Sequence, residues 1–268
     1  GNISPILSFT NKAQWIGTIG PFEKQFYMYF SIKNKIFLYL NKFLMKSSSF
    51  TSKHVFFESK YTFDLFIEKY NFNSSKGSVI NIGLSEAFFP IDNYMEPKIS
   101  PFVHKNFILT VSHLYPYKNI EVLLRAFSKY SINDNDQLLL IAGAMPFKDY
   151  YHSLCELSDS LKISDKVIFL GKMNQSELRE LYNLCTLFVF TSPFENFAYT
   201  LVEAMSCGAP ILATNTTAMP ETCGDSAIYF NPYSPTDLVK KITKFMSDPS
   251  YSDKYKKHLL ENGEIPAT

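Results

Sequence analysis

The sequence predicts an α/β protein whose parallel sheet is covered by helices on both faces. Two observations support this fold class. From residue 107 onward, short apolar runs alternate with amphipathic stretches, and each short run is apolar almost without interruption. Strands buried on both faces have this continuous apolar character, and repeated strand–helix units are typical of parallel sheets. The length of 268 residues allows one large domain or two modest ones.

The first 98 residues are predicted to form a separate, smaller part. Apolar side chains near helical spacing predict one long helix from about Glu23 to Lys46. A strand at 55–57, a helix capped by Ser59 and a strand at 79–82 follow. The stretch from Ile91 to Pro101 has little periodicity and indicates a linker, which we set at residues 99–105.

Residues 106–268 are predicted to form the second domain. Its strands are expected at 107–111, 138–142, 167–170, 187–190 and 211–213. Its helices are expected at 119–130, 148–161, 175–184, 199–206 and 235–247.

Composition argues against several functional classes. The net charge of +1 gives no overall signal for nucleic-acid binding. No run of about 18 apolar residues is present, which argues against a membrane-spanning helix. The four cysteines form no CxxC pair and no cluster with metal-ligand spacing. We therefore expect free thiols in a reducing cytoplasm.

The first candidate site is the loop that joins the strand at 107–111 to the next helix. Such sheets bind ligands at the carboxyl ends of their strands. Lys118 lies at the start of that helix, where the helix dipole disfavours a cation. A lysine there suits an anion that it shares with free backbone N–H groups. The alternative is a solvated lysine on a loop.

The second candidate site follows the strand at 187–190. Glu195 is expected in the loop and Glu203 two helical turns in, about 12 Å further along at 1.5 Å per residue. This separation is too long for an acid and a base acting on one bond, but it suits two carboxylates that hold opposite ends of an extended ligand. The alternative is a pair of surface or capping carboxylates.

Three segments in order, 107–127, 169–192 and 194–221, resemble glycosyltransferase family 4. The family's two glutamates, separated by seven residues, are present as Glu195 and Glu203. The resemblance implies a GT-B fold with a complete Rossmann-like C-terminal domain and a partial N-terminal one. Residues 1–98 resemble the second half of the family's acceptor-side domain, so we infer a chain cut short at its N-terminus.

The resemblance also implies an activity and a role for each site residue. The activity is transfer of a hexose-type sugar, with retention and without a metal or cofactor, from a nucleotide-diphosphate donor to a glycan or glycolipid. Lys118 would contact the diphosphate, Glu195 the transferred sugar as the catalytic residue, and Glu203 the ribose. Backbone groups complete the donor site, at Phe197, Ala198, Thr200 and Leu201 for sugar and phosphate and around Lys172 and Met173 for the base.

Two features depart from the family pattern. His113 stands where the family usually has arginine, and histidine cannot make arginine's forked contact with phosphate. Asn196, Ala198 and Tyr199 stand where glycines and smaller residues are common, which leaves the donor sugar open.

The partners are expected to be a nucleotide sugar and a glycan or lipid-linked acceptor, with no nucleic acid. The lysines and apolar residues of 23–46 suggest contact with anionic lipid at the inner membrane face. The alternative is a core helix with solvated lysines.

Two further classes stay open. One is a non-catalytic nucleotide-sugar-binding module or inactive fragment. The other is a nucleotide-sugar epimerase, although its glycine fingerprint and Tyr-x-x-x-Lys pair are missing. Asp134 and Asp136 have the DxD form of a metal site, but they precede a strand and are interpreted as a polar turn.

Overall fold

The computed structural model describes residues 12–80, 83, 85–131 and 136–248. The described strands form two parallel sheets, of three and six strands. The first sheet contains β1 (Ala13–Ile16), β2 (His54–Phe57) and β3 (Gly77–Val79), in that order. The second contains β4 (Phe107–Val111), β5 (Leu138–Ala142), β6 (Val167–Gly171), β7 (Leu187–Phe190), β8 (Ile211–Thr214) and β9 (Ile228–Phe230).

The helices lie between successive strands, except for the last one, which follows β9. They are α1 (Ile32–Thr51), α2 (Lys60–Tyr70), α3 (Ile120–Tyr130), α4 (Lys148–Ser160), α5 (Gln175–Leu184), α6 (Tyr199–Ser206), α7 (Met219–Cys223) and α8 (Pro235–Ser247). The predicted strands and helices of residues 106–248 are confirmed to within one residue. Three short elements, β1, β9 and α7, were not predicted because three to five residues carry too little periodicity.

The second sheet has the order β6-β5-β4-β7-β8-β9. The chain therefore starts in the middle at β4, builds outward to β6, and then returns to the other side of β4 with β7. The loops that follow β4 and β7 leave neighbouring strands in opposite directions, which opens a crevice at their carboxyl ends. This crevice holds the candidate site.

Apolar side chains fill both faces of the second sheet. Leu109 and Phe188 pack on one face, whereas Ile108 and Val189 pack on the other, and all four are fully buried. Strand residues alternate between the faces of a sheet, so the continuous apolar runs follow from burial on both sides. A separate core, which includes Ile16, Val55 and Phe66, lies against the first sheet.

The prediction of one helix from Glu23 to Lys46 is wrong. The chain forms a 3-10 helix at Lys24–Tyr29, becomes extended at Phe30, and starts α1 at Ile32 with Ser31 as its N-cap. The break lets Phe26 pack against Phe194 of the second part, with ring centroids 5.6 Å apart. The alternative of a core helix holds only near the end of α1, where Met45 is buried, because most of the large apolar side chains before it are exposed.

The stretch that begins at Ile91, just before the predicted linker, lies against α5. The backbone N–H of Met95 donates to Glu180 Oε1 at 2.6 Å, and that of Ile91 donates to Asn183 Oδ1 at 2.9 Å. Both acceptors are on α5. The division into domains at residues 98 and 106 stays a prediction. Within the described ranges, none of the helices is both long and apolar enough to cross a bilayer.

Candidate functional site

The crevice at the switch point contains a pocket of about 350 Å³. This volume lies in the range of small-molecule sites. Its described walls come from the loops after β4, β5, β6 and β7 and from α5 and α6. They include His113, Lys118, Met173, Glu195, Phe197, Ala198, Thr200 and Glu203. The sequence assigned these eight residues to a site, and the fold brings them together.

Lys118 reaches the pocket from a 3-10 turn that ends immediately before α3. Asn119 follows in the left-handed conformation, with φ 58°, and its side chain amide donates to Pro232 O at 2.7 Å. The carbonyl of Lys118 accepts a hydrogen bond from Thr191 Oγ1 at 2.7 Å. These contacts fix the loop between β4 and α3 against the residues that follow β7 and β9, which sets the backbone position of the lysine.

Lys118 and Glu195 form an ion pair, with Nζ bonded to Oε1 and only 15% and 16% of the two side chains exposed. Burial acts to lower the pKa of Lys118, but the negative charge of Glu195, together with the nearby Tyr117 and the hydrogen bond to Glu195, outweighs it and the pKa is raised. The lysine is therefore a cation in the pocket. It can bind an anionic ligand if Glu195 exchanges its contact with the lysine for one with a neutral hydroxyl.

Glu203 lines the pocket from α6, and a side chain of α5 orients it. The hydroxyl of Tyr182 on α5 donates to Glu203 Oε2 at 2.9 Å. Burial raises the pKa of Glu203, and this hydrogen bond acts in the opposite direction. Glu203 is the fifth residue of α6, so it lies one helical turn in, and the prediction of two turns is wrong because α6 begins only at Tyr199.

His113 lines the pocket where the loops after β4 and β5 meet. Its Nδ1 accepts a hydrogen bond from the backbone N–H of Ala144 at 3.2 Å. The neutral ring therefore carries its proton on Nε2, which is free to act as a donor. Beside it, Gly143 has φ +140°, and an added Cβ would lie 1.9 Å from Ser112 O. Only glycine allows the ends of β4 and β5 to approach this closely.

The N-terminus of α6 faces the same pocket. Phe197, Ala198 and Thr200 line the cavity, and no side chain caps the helix at Ala198. Leu201 does not line it: the residue is fully buried and its backbone N–H donates to Ala198 O at 3.0 Å. The assignment of Leu201 to the donor site stays a prediction, and its amide is used within the helix in the protein without ligand.

One wall of the pocket is aromatic and was not predicted from the sequence. Tyr115 and Tyr117 stack with centroids 5.6 Å apart and rings 18° from parallel, and Lys118 Nζ lies 5.2 Å from the Tyr117 centroid. Tyr182 and Gly143 were also missed. The sequence offered two signals for these residues. One is a pair of tyrosines two positions apart in a loop, and the other is a glycine that directly follows an apolar strand.

No group of three His, Cys, Asp or Glu side chains in the described ranges is arranged to hold a metal ion. Asp134 of the DxD sequence lies outside the described residues.

The chain is similar to several known glycosyltransferases. The serotype-specific mannosyltransferase WbdA of Escherichia coli is 32% identical over 190 residues, which are 68% of this chain and 23% of WbdA. WaaG, a glycosyltransferase involved in lipopolysaccharide biosynthesis, superposes with a TM-score of 0.77 at 14% identity, over 95% of this chain and 72% of WaaG. HepE of Anabaena, in complex with UDP and glucose, gives 0.70 at 22% identity, over 82% and 61%.

These similarities confirm the predicted fold class, an α/β GT-B fold with parallel sheets. The chain spans less than a quarter of WbdA. Residues 95–264, more than half of the chain, match the family described as glycosyl transferases group 1. The protein is therefore a member of the group 1 glycosyl transferase family.

Proposed function

We propose that the chain carries the donor-binding part of a retaining glycosyltransferase of family 4. The donor is a nucleotide-diphosphate sugar of the hexose type, and the acceptor is a glycan or glycolipid of the cell surface. The observation that carries this proposal is the convergence of Lys118, Glu195 and Glu203 on one pocket. WbdA is a mannosyltransferase and HepE is seen with UDP and glucose, which supports a hexose donor.

The charges of the pocket match the parts of such a donor. Lys118 lies beside the uncapped N-terminus of α6, and both favour a diphosphate between them. Glu203, oriented by Tyr182, suits the ribose hydroxyls, and Glu195 suits the hydroxyls of the sugar. The lysine and the helix amides can stabilise the leaving diphosphate, so we propose that transfer needs no metal and no cofactor.

Two single-residue changes test these assignments. Lys118→Ala should weaken binding of UDP or GDP by roughly tenfold to a hundredfold, because it removes a charge-assisted hydrogen bond. Glu195→Ala should leave nucleoside-diphosphate affinity within about twofold and abolish the extra affinity for the sugar nucleotide. Calorimetry with UDP, GDP and their sugars measures both.

Matched controls are available on exposed helix faces. Lys129→Ala on α3 and Glu156→Ala on α4 remove the same charges away from the pocket. Unchanged turnover in Glu195→Ala would refute the role of that carboxylate. Sugar-nucleotide binding without transfer to any glycan or glycolipid would support a non-catalytic binding module instead.

We also propose that α1 contacts anionic lipid at the cytoplasmic face of the inner membrane. The apolar side chains of α1 that are more than half exposed include Ile36, Phe37, Leu40 and Phe43. Their spacing of one, four and seven residues places them on one helical face, and the exposed Lys33 precedes them. The free thiols of all four cysteines support a reducing compartment.

Sedimentation with phosphatidylcholine vesicles, with and without phosphatidylglycerol, tests the lipid contact. Each buried phenylalanine contributes about 1.5–3 kcal/mol, so Phe37→Ser with Phe43→Ser should reduce retention to background. Met95→Ser, at a side chain that is 86% exposed, is the control. A wild-type protein that the anionic vesicles fail to retain would contradict the proposal.

A further inference from the structure

A buried polar cluster joins the first sheet to the loop that carries Glu195. We call Trp15, Glu58, Ser59, Thr62 and Asn196 the junction cluster. Trp15 and Glu58 lie at the ends of β1 and β2, Ser59 and Thr62 begin α2, and Asn196 follows Glu195 after β7. Asn196 is the residue that stands where the family commonly has glycine, and only 3% of its surface is exposed.

The amide of Asn196 is fully used within the cluster. Its Nδ2 donates to Ile16 O at 2.9 Å and to Glu58 Oε2 at 3.0 Å. Its Oδ1 accepts from Ser59 Oγ at 2.8 Å and from Thr62 Oγ1. Two acceptors therefore face the nitrogen and two donors face the oxygen, which matches the hydrogen-bonding capacity of an amide.

A carboxylate from the same side also holds the N-terminal end of α2. Glu221 on α7 accepts from the backbone N–H of Lys60 at 2.6 Å and from that of Tyr61 at 2.9 Å. These N–H groups have no partner inside a helix. The first turn of α2 is thus held by two side chains that follow strands of the second sheet, Asn196 after β7 and Glu221 on α7.

Glu195 and Asn196 direct their side chains to different parts of the structure. Glu195 bonds to Lys118 in the pocket, whereas Asn196 bonds to residues of β1, β2 and α2. The backbone N–H of Glu195 donates to Thr217 Oγ1 at 3.3 Å, so the loop is also held from the side of α7. Because Asn196 is the next residue in the chain, its contacts act on the backbone from which the Glu195 carboxylate projects.

We propose that Asn196 is a positioning residue. Its hydrogen bonds to the first sheet and to α2 set the position of the Glu195 carboxylate in the pocket. The inference rests on the proposed function for the role of Glu195 toward the donor sugar. The coupling itself is a property of the protein without ligand and can be tested in that state.

The first experiment measures thermal unfolding of Asn196→Asp between about pH 5 and pH 8. The new carboxylate faces Glu58, and two carboxylates at this distance raise each other's pKa. The folded variant then binds more protons than the unfolded chain, so its stability is highest at low pH and is lost as the pH rises. The neighbouring groups are Tyr199, Glu221 and the exposed Lys60–Asp64 pair, which are the same in every variant.

Adding Glu58→Gln to Asn196→Asp should remove most of this pH dependence. The glutamine amide can donate to the new carboxylate and still accept from Trp15 Nε1, which now donates to Glu58 Oε1 at 2.6 Å. Asn73→Asp is the matched control, because Asn73 is exposed and uses only its Oδ1 as an acceptor. Equal pH dependence in the single and double variants would overturn the proposed junction.

The second experiment tests positioning through Lys118. Thermal shifts are measured for Asn196→Ala, for Lys118→Met and for both together, without ligand. If Asn196 sets the position of Glu195, Asn196 and Lys118 belong to one network of interactions. The Tm shift of the double variant should then differ from the sum of the two single shifts by about 2–4 °C, since changes within one network are non-additive. Additive shifts would show that Asn196 stabilises the junction without positioning Glu195, and would overturn the inference.

The third experiment separates this inference from the proposed function. In the folded Asn196→Ala protein, kcat for transfer should fall about tenfold to a hundredfold, because a small displacement of a positioned group has effects of this size. Affinity for UDP or GDP should stay within about twofold. A wild-type protein that binds neither nucleotide would contradict the proposed function, whereas the first two experiments would still decide the coupling.

Discussion

Removing one hydroxyl, in Tyr182→Phe, should weaken both the fold and the nucleotide site. The hydroxyl donates to Glu203 Oε2 at 2.9 Å, and Tyr182 is fully buried. A hydrogen bond to a charged group contributes about 1.5–3 kcal/mol. In a protein of this size, 1 kcal/mol corresponds to a Tm shift of about 2–4 °C. We therefore expect Tm to fall by about 3–12 °C at neutral pH.

The loss should depend on pH in a defined direction. Burial already raises the pKa of Glu203, and the Tyr182 hydrogen bond acts to lower it. Without the hydroxyl, the folded-state pKa rises further above the unfolded value. Stability that is present when both states are protonated is then lost as the pH increases, so the difference from wild type should be larger at about pH 8 than at about pH 5.

Differential scanning calorimetry across this pH range measures the effect, and Tyr150→Phe is the control. Tyr150 donates to Glu121 Oε2 at 2.7 Å, and burial raises the pKa of that carboxyl as well. Both variants should lose stability, but only Tyr182→Phe should weaken UDP or GDP binding, by about threefold to tenfold. A pH-independent loss in Tyr182→Phe, or equal loss of binding in both variants, would refute the reasoning.

Three further changes have distinct expected outcomes. Gly143→Ala should lower the free energy of unfolding by more than about 3 kcal/mol, since the new Cβ meets a backbone oxygen. Gly171→Ala, at φ +72° with no atom within 4 Å, should lower it by only about 1–2 kcal/mol, and chemical denaturation compares the two. Asn174→Ala removes the capping box of α5 and should cost about 1 kcal/mol in the same assay. Glu195→Gln leaves the amine of Lys118 without its counter-charge, so NMR titration should show a lower lysine pKa; an unchanged value would mean that Tyr117 and bulk solvent stabilise the cation alone.

The sequence predicted the second sheet well because its signals are local. Runs such as 107–111 and 187–190 are apolar throughout, and each is followed by a helix with one apolar face. Lys118, Glu195 and Glu203 could be found for a related reason. Each follows a buried strand, and parallel strands bring their carboxyl ends to one edge of the sheet.

The errors concern positions where distant packing overrides local pattern. Helical spacing continues through Phe30, but the chain must turn there for Phe26 to reach Tyr117 and Phe194. From the sequence, Asn196 could be recognised only as a departure from the usual glycine, because its four hydrogen-bond partners are far away in the sequence. Gly143 gave no signal of its own, since the clash that requires it involves a backbone oxygen on a neighbouring strand.

The chain's only tryptophan makes the contact between its two sheets visible to spectroscopy. The indole N–H of Trp15 donates to Glu58, whose other oxygen accepts from Asn196. Selectively excited emission therefore comes from a single fluorophore at this contact, without a label or an added cysteine. Separation of the first sheet from the Glu195 loop would expose the indole to water and shift its emission to longer wavelength, so a change at this contact when a nucleotide is added could be followed in real time.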